Sequence, residues 1–391
     1  MKMARAIPVL SGGTAAVLVM MAAASVPALA SAGRAGHSRS SGHARVSSIL
    51  KAGDTTTGVR GSGGDGVVLT GLVPGSSGSA AFLFRGRLAR AAGAAVSVLH
   101  PAFRQVTSAT FYGPNTHLFN PRAIPRGQIR AVGSYISSAA PQGVHNQGMI
   151  YLGPLSGRGG SWTSIDVPAY GRHVTGHVRA CPRSRRGCHV LDTIPHSTMG
   201  NLVVGNYNLN PTVRGGLVSG NAFIYNITRR QWTLFRLHGS LSTKSTFYGI
   251  WQDGGPRSPR YTLAGGSSAR GGQRGFLINY NERTGAFGRP TFYTYNNKPA
   301  IFTHFEGITA VRGGFNLVAM STGRSPSLVF IPVRGQSFGR ARWHQANVGG
   351  SALCPCSVVT GNTVWRNHIM GLYIPKSSSA THTYLATVAA R

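Results

Sequence analysis

The sequence predicts an all-β fold, a β-propeller of six four-stranded blades. Three features of the chain point to it. A strand-like phrase recurs, clearest as Phe247-Tyr248-Gly249-Ile250, Tyr261-Thr262-Leu263-Ala264-Gly265-Gly266, Gly275-Phe276-Leu277-Ile278-Asn279-Tyr280 and Thr291-Phe292-Tyr293-Thr294-Tyr295. Four short strands per repeat, at a repeat of roughly 45 to 55 residues, is the arithmetic of a propeller blade. The chain also holds 54 Gly and 21 Pro, and beyond residue 30 no apolar 3.6-residue pattern persists for three turns, which argues against long helices. Finally, the phrase keeps its register from copy to copy, which a β-sandwich of similar strands and turns rarely does.

The elements follow in order. Lys2 and Arg5 precede an apolar run from Ala15 to Ala24, and Ala28-Leu29-Ala30 closes it. A positive region, a short apolar core and a small-x-small site read as an export signal over residues 1–30, so the protein is expected to be secreted. The apolar run is shorter than the roughly 18 to 20 residues of a membrane anchor, and no later segment is long enough to span a bilayer. Residues 31–43, rich in Ser, Gly, Arg and His, read as a flexible leader, and 44–391 as a single propeller domain. Arg45-Val46-Ser47-Ser48-Ile49-Leu50 is a stray strand. Because the last blade shows only three strands of its own, this one is expected to complete it, closing the ring and hiding two sheet edges.

The blades are expected at 54–104, 105–169, 193–240, 244–298, 302–347 and 355–391. Their first strands align on a glycine as Thr110-Phe111-Tyr112-Gly113, Ser197-Thr198-Met199-Gly200, Thr246-Phe247-Tyr248-Gly249 and His304-Phe305-Glu306-Gly307, with a weaker copy at Val358-Val359-Thr360-Gly361. Second strands include Val67–Gly71, Ile129–Tyr135, Leu202–Tyr207, Asn316–Met320 and His368–Tyr373. Third strands include Ala81–Phe84, Gly148–Tyr151, Ala222–Tyr225, Leu328–Phe330 and Thr383–Ala386. All are β-branched and aromatic runs bounded by turn residues.

Between the second and third blades an insertion, about 171–194, carries His173, His177, His189, Cys181, Cys188 and several arginines. Four cysteines in an exported chain point to disulfides. One possibility is local pairing, Cys181 with Cys188 and Cys354 with Cys356. The others staple the insertion across the channel mouth to the Cys354-Pro355-Cys356 loop, since both lie in connections on the same face. Local pairing is preferred. A zinc site from these cysteines and histidines does not match the usual ligand spacings, and no metal or cofactor is expected.

Lys and Arg total 40 against 7 Asp and Glu, and only five of the basic residues are Lys. The summed field should attract polyanions: an acidic polysaccharide, an anionic cell wall or another anionic cell-surface polymer. The charge is spread along the chain without a nucleic-acid-binding motif, so no specific nucleic acid is expected, and the protein is read as a monomer. Charged residues make up only 12%, and the excess arises from missing acids. A protein working in acid has reason to avoid carboxylate ion pairs, and an acidic habitat is one expectation.

The acids are Asp54, Asp65, Asp166, Asp192, Asp253, Glu282 and Glu306. Only Glu306 falls on a predicted inner strand; Asp253 and Glu282 sit in turn sequences and read as solvated. A carboxylate-pair glycosidase would need a second acid facing Glu306. The candidate channel residues are Glu306, His304, Tyr248, Tyr112 and His196. Alternation places Glu306 with His304, Tyr248 with Thr246 and Tyr112 with Thr110 on one face, while Phe305, Phe247 and Phe111 pack between blades. His196 stands one register out from His304. A His and Glu pair suits acid–base chemistry, although structural roles for these histidines are the simpler reading, and none is assigned as catalytic. The nucleophile-elbow, zinc-protease and phosphate-loop motifs are absent.

The strands Asn221-Ala222-Phe223-Ile224-Tyr225 and Ala80-Ala81-Phe82-Leu83-Phe84 resemble those of extracellular repeat proteins known for a His-Ala-Phe (HAF) triplet. The resemblance spans most of residues 54–391, although the triplet's His is absent from each copy. It implies a secreted β-propeller repeat protein and names no catalytic residue. Together these readings predict a secreted binding or scaffold module for an anionic glycan or wall polymer. The alternatives are an extracellular carbohydrate-active enzyme using the channel around Glu306 and His304, and a structural exported protein without a small ligand.

Overall fold

The structure is a computed structural model that describes residues 44–389, except 142, 170–173, 176–179, 182–186, 211–219, 236, 238–243, 269–271 and 349–354. The expected signal and leader (1–43), His173, His177, Cys354 and much of the insertion lie outside the described residues.

Six antiparallel sheets, each a meander running from an inner to an outer strand, form the blades of a β-propeller. The first blade runs Thr55–Gly63, Gly66–Gly75, Gly78–Arg87 and Ser97–Leu99; the second Val106–Thr116, Gln128–Ser137, Gln147–Pro154 and Ser161–Ile165. The third begins at Val190–Met199, so the last residues assigned to the insertion belong to this blade's inner strand instead. It continues through Leu202–Leu209, Asn221–Asn226 and Gln231–Phe235, and the insertion's Val174–Thr175 runs parallel beside that last strand. The fourth and fifth blades begin at Ser245–Gln252 and Thr303–Val311, and each divides its outermost strand into two short pieces. In the sixth the inner strand is itself divided, into Cys356–Val359 and Thr363–Trp365.

Ring closure uses the stray N-terminal strand. Arg45–Ile49 pairs antiparallel with His382–Thr387, in register from Arg45 opposite Thr387 to Ile49 opposite Thr383. Asn362 Nδ2 donates to Thr56 O at 2.8 Å, tying the inner edge of the last blade to the first. No described helix is long and apolar enough to cross a membrane.

The hydrophobic core is divided among the blade interfaces, because each sheet buries one face on each neighbour. Phe111 packs between the first two blades with Val68, Leu83 and Met149; Phe247 lies between the third and fourth with Val204 and Phe276; Phe305 lies between the fourth and fifth with Leu277 and Val329. All three phenylalanines are fully buried. The disulfide is local: Cys181 and Cys188 are bonded, with Cα atoms 5.8 Å apart, and both pack into the core between blades two and three. This excludes a Cys181–Cys354 or Cys188–Cys356 staple across the mouth, and it consumes two of the thiols a zinc site would need. Cys356 is disulfide-bonded as well.

The closing strand should carry stability out of proportion to its length, because Ile49 and Leu50 are almost fully buried and its removal exposes a sheet edge. Deleting residues 1–50 is expected to lower the melting temperature by about 5 °C or more, read by calorimetry against a chain lacking only residues 1–43.

Candidate functional site

A repeated irregularity positions the channel residues. In each of the first five blades the inner strand skips one residue against its neighbour, between Thr56 and Gly58, Phe111 and Gly113, Pro195 and Ser197, Phe247 and Gly249, and Phe305 and Gly307. The skipped residues are Thr57, Tyr112, His196, Tyr248 and Glu306, and all of them line the central channel. A β-bulge bends its strand and re-aims the extra side chain, which here turns it toward the axis.

The residue after the bulge explains the glycine of the repeat. A Cβ on Gly113 would lie 2.6 Å from His196 O and 2.7 Å from Ser197 Cα, and one on Gly249 would lie 2.8 Å from Ile308 Cγ2. A Cβ on Gly58 would collide with Tyr112 O. At these three positions the adjacent inner strand approaches too closely for a side chain. Blade three uses Ser197 at this position, and Gly200, aligned with these glycines in the sequence, ends its strand in a turn at φ +56°.

This bulge brings His196 into line with the other candidates, contrary to its apparent offset. The ring centroids of Tyr112 and His196 are 5.5 Å apart, those of His196 and Tyr248 4.6 Å, and those of Tyr248 and His304 5.6 Å. The series ends in a 2.6 Å contact between His304 Nε2 and Glu306 Oε1, both partly exposed. Tyr112 also shares a hydrogen bond with Ser134 Oγ at 3.3 Å, and His196 Nε2 donates to Asn206 Oδ1 at 2.7 Å. Thr110 and Thr246 hydrogen-bond Tyr112 and Tyr248 respectively. Burial pushes the Tyr112 phenol up to about 12 and Tyr248 higher still, and holds His196 below its ordinary value. The two tyrosines are therefore neutral hydrogen-bonding groups near neutral pH.

One end of the channel is plugged. The connection after the inner strand of blade two, residues 117–127, carries Phe119 over the axis, where it meets Trp251 of blade four at 5.5 Å and Trp365 of blade six at 6.3 Å. The Arg60 guanidinium of blade one lies 5.9 Å from the Phe119 ring and 5.5 Å from that of Trp251. It donates to Pro114 O, Ser197 Oγ and Thr198 O at 3.3 to 3.5 Å. Arg130 and Asn120 hold the loop down through Gly200 O, at 2.8 and 2.6 Å. Burial lowers both Arg60 and Arg130 to about 10, so each remains charged at neutral pH. The cavity left among Tyr112, His196, Tyr248, Glu306 and Arg60 is about 20 Å³, enough for about one water.

Two readings of the acids need correction. Asp192 also lies on an inner strand, accepting from Asn146 Nδ2 at 2.7 Å and Asn208 Nδ2 at 2.8 Å. Asp253 and Glu282 do more than face solvent: Thr262 donates to Asp253 at 2.9 Å, while Glu282 ties blades three and four by accepting from Asn226 at 2.8 Å and Tyr261 at 3.0 Å. Of the described carboxylates, Glu306 alone lines the channel cavity. Loop 117–127 carried no signal of its position over the channel beyond its length and its single Phe.

Comparison with known proteins yields no matching family and no match among curated proteins. Solved structures resemble the chain only at a distance. Against luciferin-regenerating enzyme the identity is 10% and the TM-score 0.45, covering 88% of this chain and 95% of that one. Against Trypanosoma rangeli sialidase the values are 7% and 0.47, covering 88% and 59%. Against TolB from Acinetobacter baumannii they are 12% and 0.37, covering 81% and 63%.

Desolvation raises Asp253 to about 6 and also raises Asp54 and Asp166. A carboxyl whose folded pKa lies above its unfolded value contributes stability that is complete below about 4 and is lost as pH rises through about 6. The Asp253→Asn variant should therefore gain more stability over the parent at pH 7 than at pH 4. Paired denaturant titrations at the two pH values check this, and a gain larger at pH 4 would contradict the assignment.

Proposed function

We propose that this chain is an exported binding module for an anionic glycan or cell-wall polymer. The observation that carries the proposal is a surplus of exposed arginines without carboxylate partners. Against 40 Lys and Arg, the ion pairs among described residues are His304 with Glu306 and Arg366 with Asp65. The filled channel favours binding on the outer surface, and the local Cys181–Cys188 disulfide favours an oxidising compartment. The Ala222-Phe223-Ile224 and Ala81-Phe82-Leu83 strands remain the grounds for relating the chain to extracellular His-Ala-Phe repeats.

A second reading, a carbohydrate-active enzyme in the channel, is favoured by the short His304–Glu306 contact. It would require the plug to move, because a one-water cavity admits no sugar ring, and Glu306 would need a second acid or a water held by His304.

The purified chain is expected to be retained by acidic polysaccharides at about 50 mM salt and released by about 500 mM, with neutral polysaccharides unbound, because exposed charge pairs are screened over a few ångströms at the higher salt. Failure to retain any acidic polymer at low salt would sink the binding proposal. Shortened products after long incubation would favour the enzyme, and Glu306→Gln would then abolish them.

A further inference from the structure

We infer that the anionic polymer is bound by one face of the ring, the end that Phe119 plugs; this rests on the binding function just proposed. In an antiparallel meander the turn from first to second strand and that from third to fourth lie at the same end of the sheet. All inner strands run in one direction along the channel: Arg60, Trp251 and Trp365, at the ends of three of them, meet at Phe119. The first-to-second turns of all six blades and the third-to-fourth turns of the first five therefore share the plugged face.

That face is built of arginine. Its inner turns expose Arg122 and Arg126 from blade two, Arg257 from blade four, Arg312 from blade five and Arg366 from blade six. Farther out, the third-to-fourth turns expose Arg90, Arg158, Arg230, Arg283 and Arg334 of the first five blades, and Arg45 stands at the corresponding end of the closing strand. The three acids on this face leave most of that charge unanswered: Asp65 meets Arg366, while Asp253 and Glu282 are taken up by Thr262, Asn226 and Tyr261. All four lysines among the described residues, Lys51, Lys244, Lys298 and Lys376, lie at the opposite end.

The distinction matters chemically. A guanidinium grips sulfate, phosphate or carboxylate groups through two parallel N–H donors, whereas an ammonium acts as a hydrated point charge. Arginines spread in inner and outer rings around a closed centre suit an extended polyanion lying across the face rather than a small ligand entering a pocket. The structure thus assigns an anionic polysaccharide, contacted through its charged groups, to the plugged face.

Three combined variants test this, each checked by a thermal melt: Arg122→Gln with Arg126→Gln, Arg257→Gln and Arg312→Gln on the plugged face; Lys51→Gln with Arg104→Gln, Lys298→Gln and Lys376→Gln on the opposite face; and Arg183→Gln with Arg185→Gln and Arg186→Gln in the disulfide loop. None of the four arginines substituted on the plugged face makes a described ion pair, so that variant should fold. Affinities for dextran sulfate and polygalacturonate are measured over a salt series, with neutral dextran as control. The plugged-face variant should weaken binding of both polymers about tenfold or more and flatten the salt dependence, while the other two change it less than about threefold. Equal losses in all three would mean that net charge alone attracts the polymer, and a dominant loss in the disulfide-loop variant would move the site. Either result overturns the assignment and leaves the binding function intact. A parent protein that binds neither polymer would refute that function itself.

Discussion

The backbone-to-backbone approach of neighbouring inner strands is the constraint on which this ring depends. At Gly58, Gly113 and Gly249 the next blade's main chain or first side-chain atoms occupy the space a Cβ would need. This narrow spacing lets the blades close around a small axis. It also forces the bulge side chains, Tyr112, His196, Tyr248 and Glu306, into one crowded column where they pack on each other. Glycine is suited to the position through its missing side chain, whereas Gly200, in a turn, takes a left-handed conformation.

Once the strands are this close, the axis behaves as core. The Phe119 plug joins blades one, four and six across the centre, and Arg130 and Asn120 fasten its loop to blade three through Gly200 O. The contacts cross the ring, so the plug resists the outward drift of individual blades that strand pairing at the closure alone would leave unopposed. A centre used in this way is poorly placed to admit a polymer. Under the proposed binding function, recognition falls to the turns, which the rigid sheets hold in fixed relative positions.

Much of the fold was legible because a propeller writes its period into the chain. The second and third strands announced themselves as apolar runs, Phe111, Phe247 and Phe305 were readable as interface residues by alternation, and the spare Arg45–Ile49 strand matched an incomplete last blade. The inner edge was harder. A bulge adds a residue without changing composition, so Ser197 in the glycine's place shifted the apparent register of blade three to Gly200 and set His196 aside from its neighbours. Asp192 was missed for the same reason, since the strand begins earlier than the insertion's polar sequence suggested. The plug was illegible because its partners, Arg60, Trp251 and Trp365, lie far apart in sequence and meet only when the ring closes.

The scarcity of acids and the burial of arginine have one physical explanation. A buried guanidinium needs acceptors, and a carboxylate is the usual one, but it loses its charge in acid and leaves the cation unanswered. Arg60 and Arg130 are instead held by the carbonyls of Pro114, Thr198, Gly200 and Ala123, with Phe119 and Trp251 rings beside Arg60. Carbonyl oxygens and aromatic faces do not titrate in the range where proteins fold. The interior cations thus keep their partners at any such pH, while the described ion pairs, at Glu306 and Asp65, stand on partly or fully exposed side chains where losing one costs little. Such a chain can dispense with acids throughout, and the uncompensated surface arginines that result give it a strongly positive field.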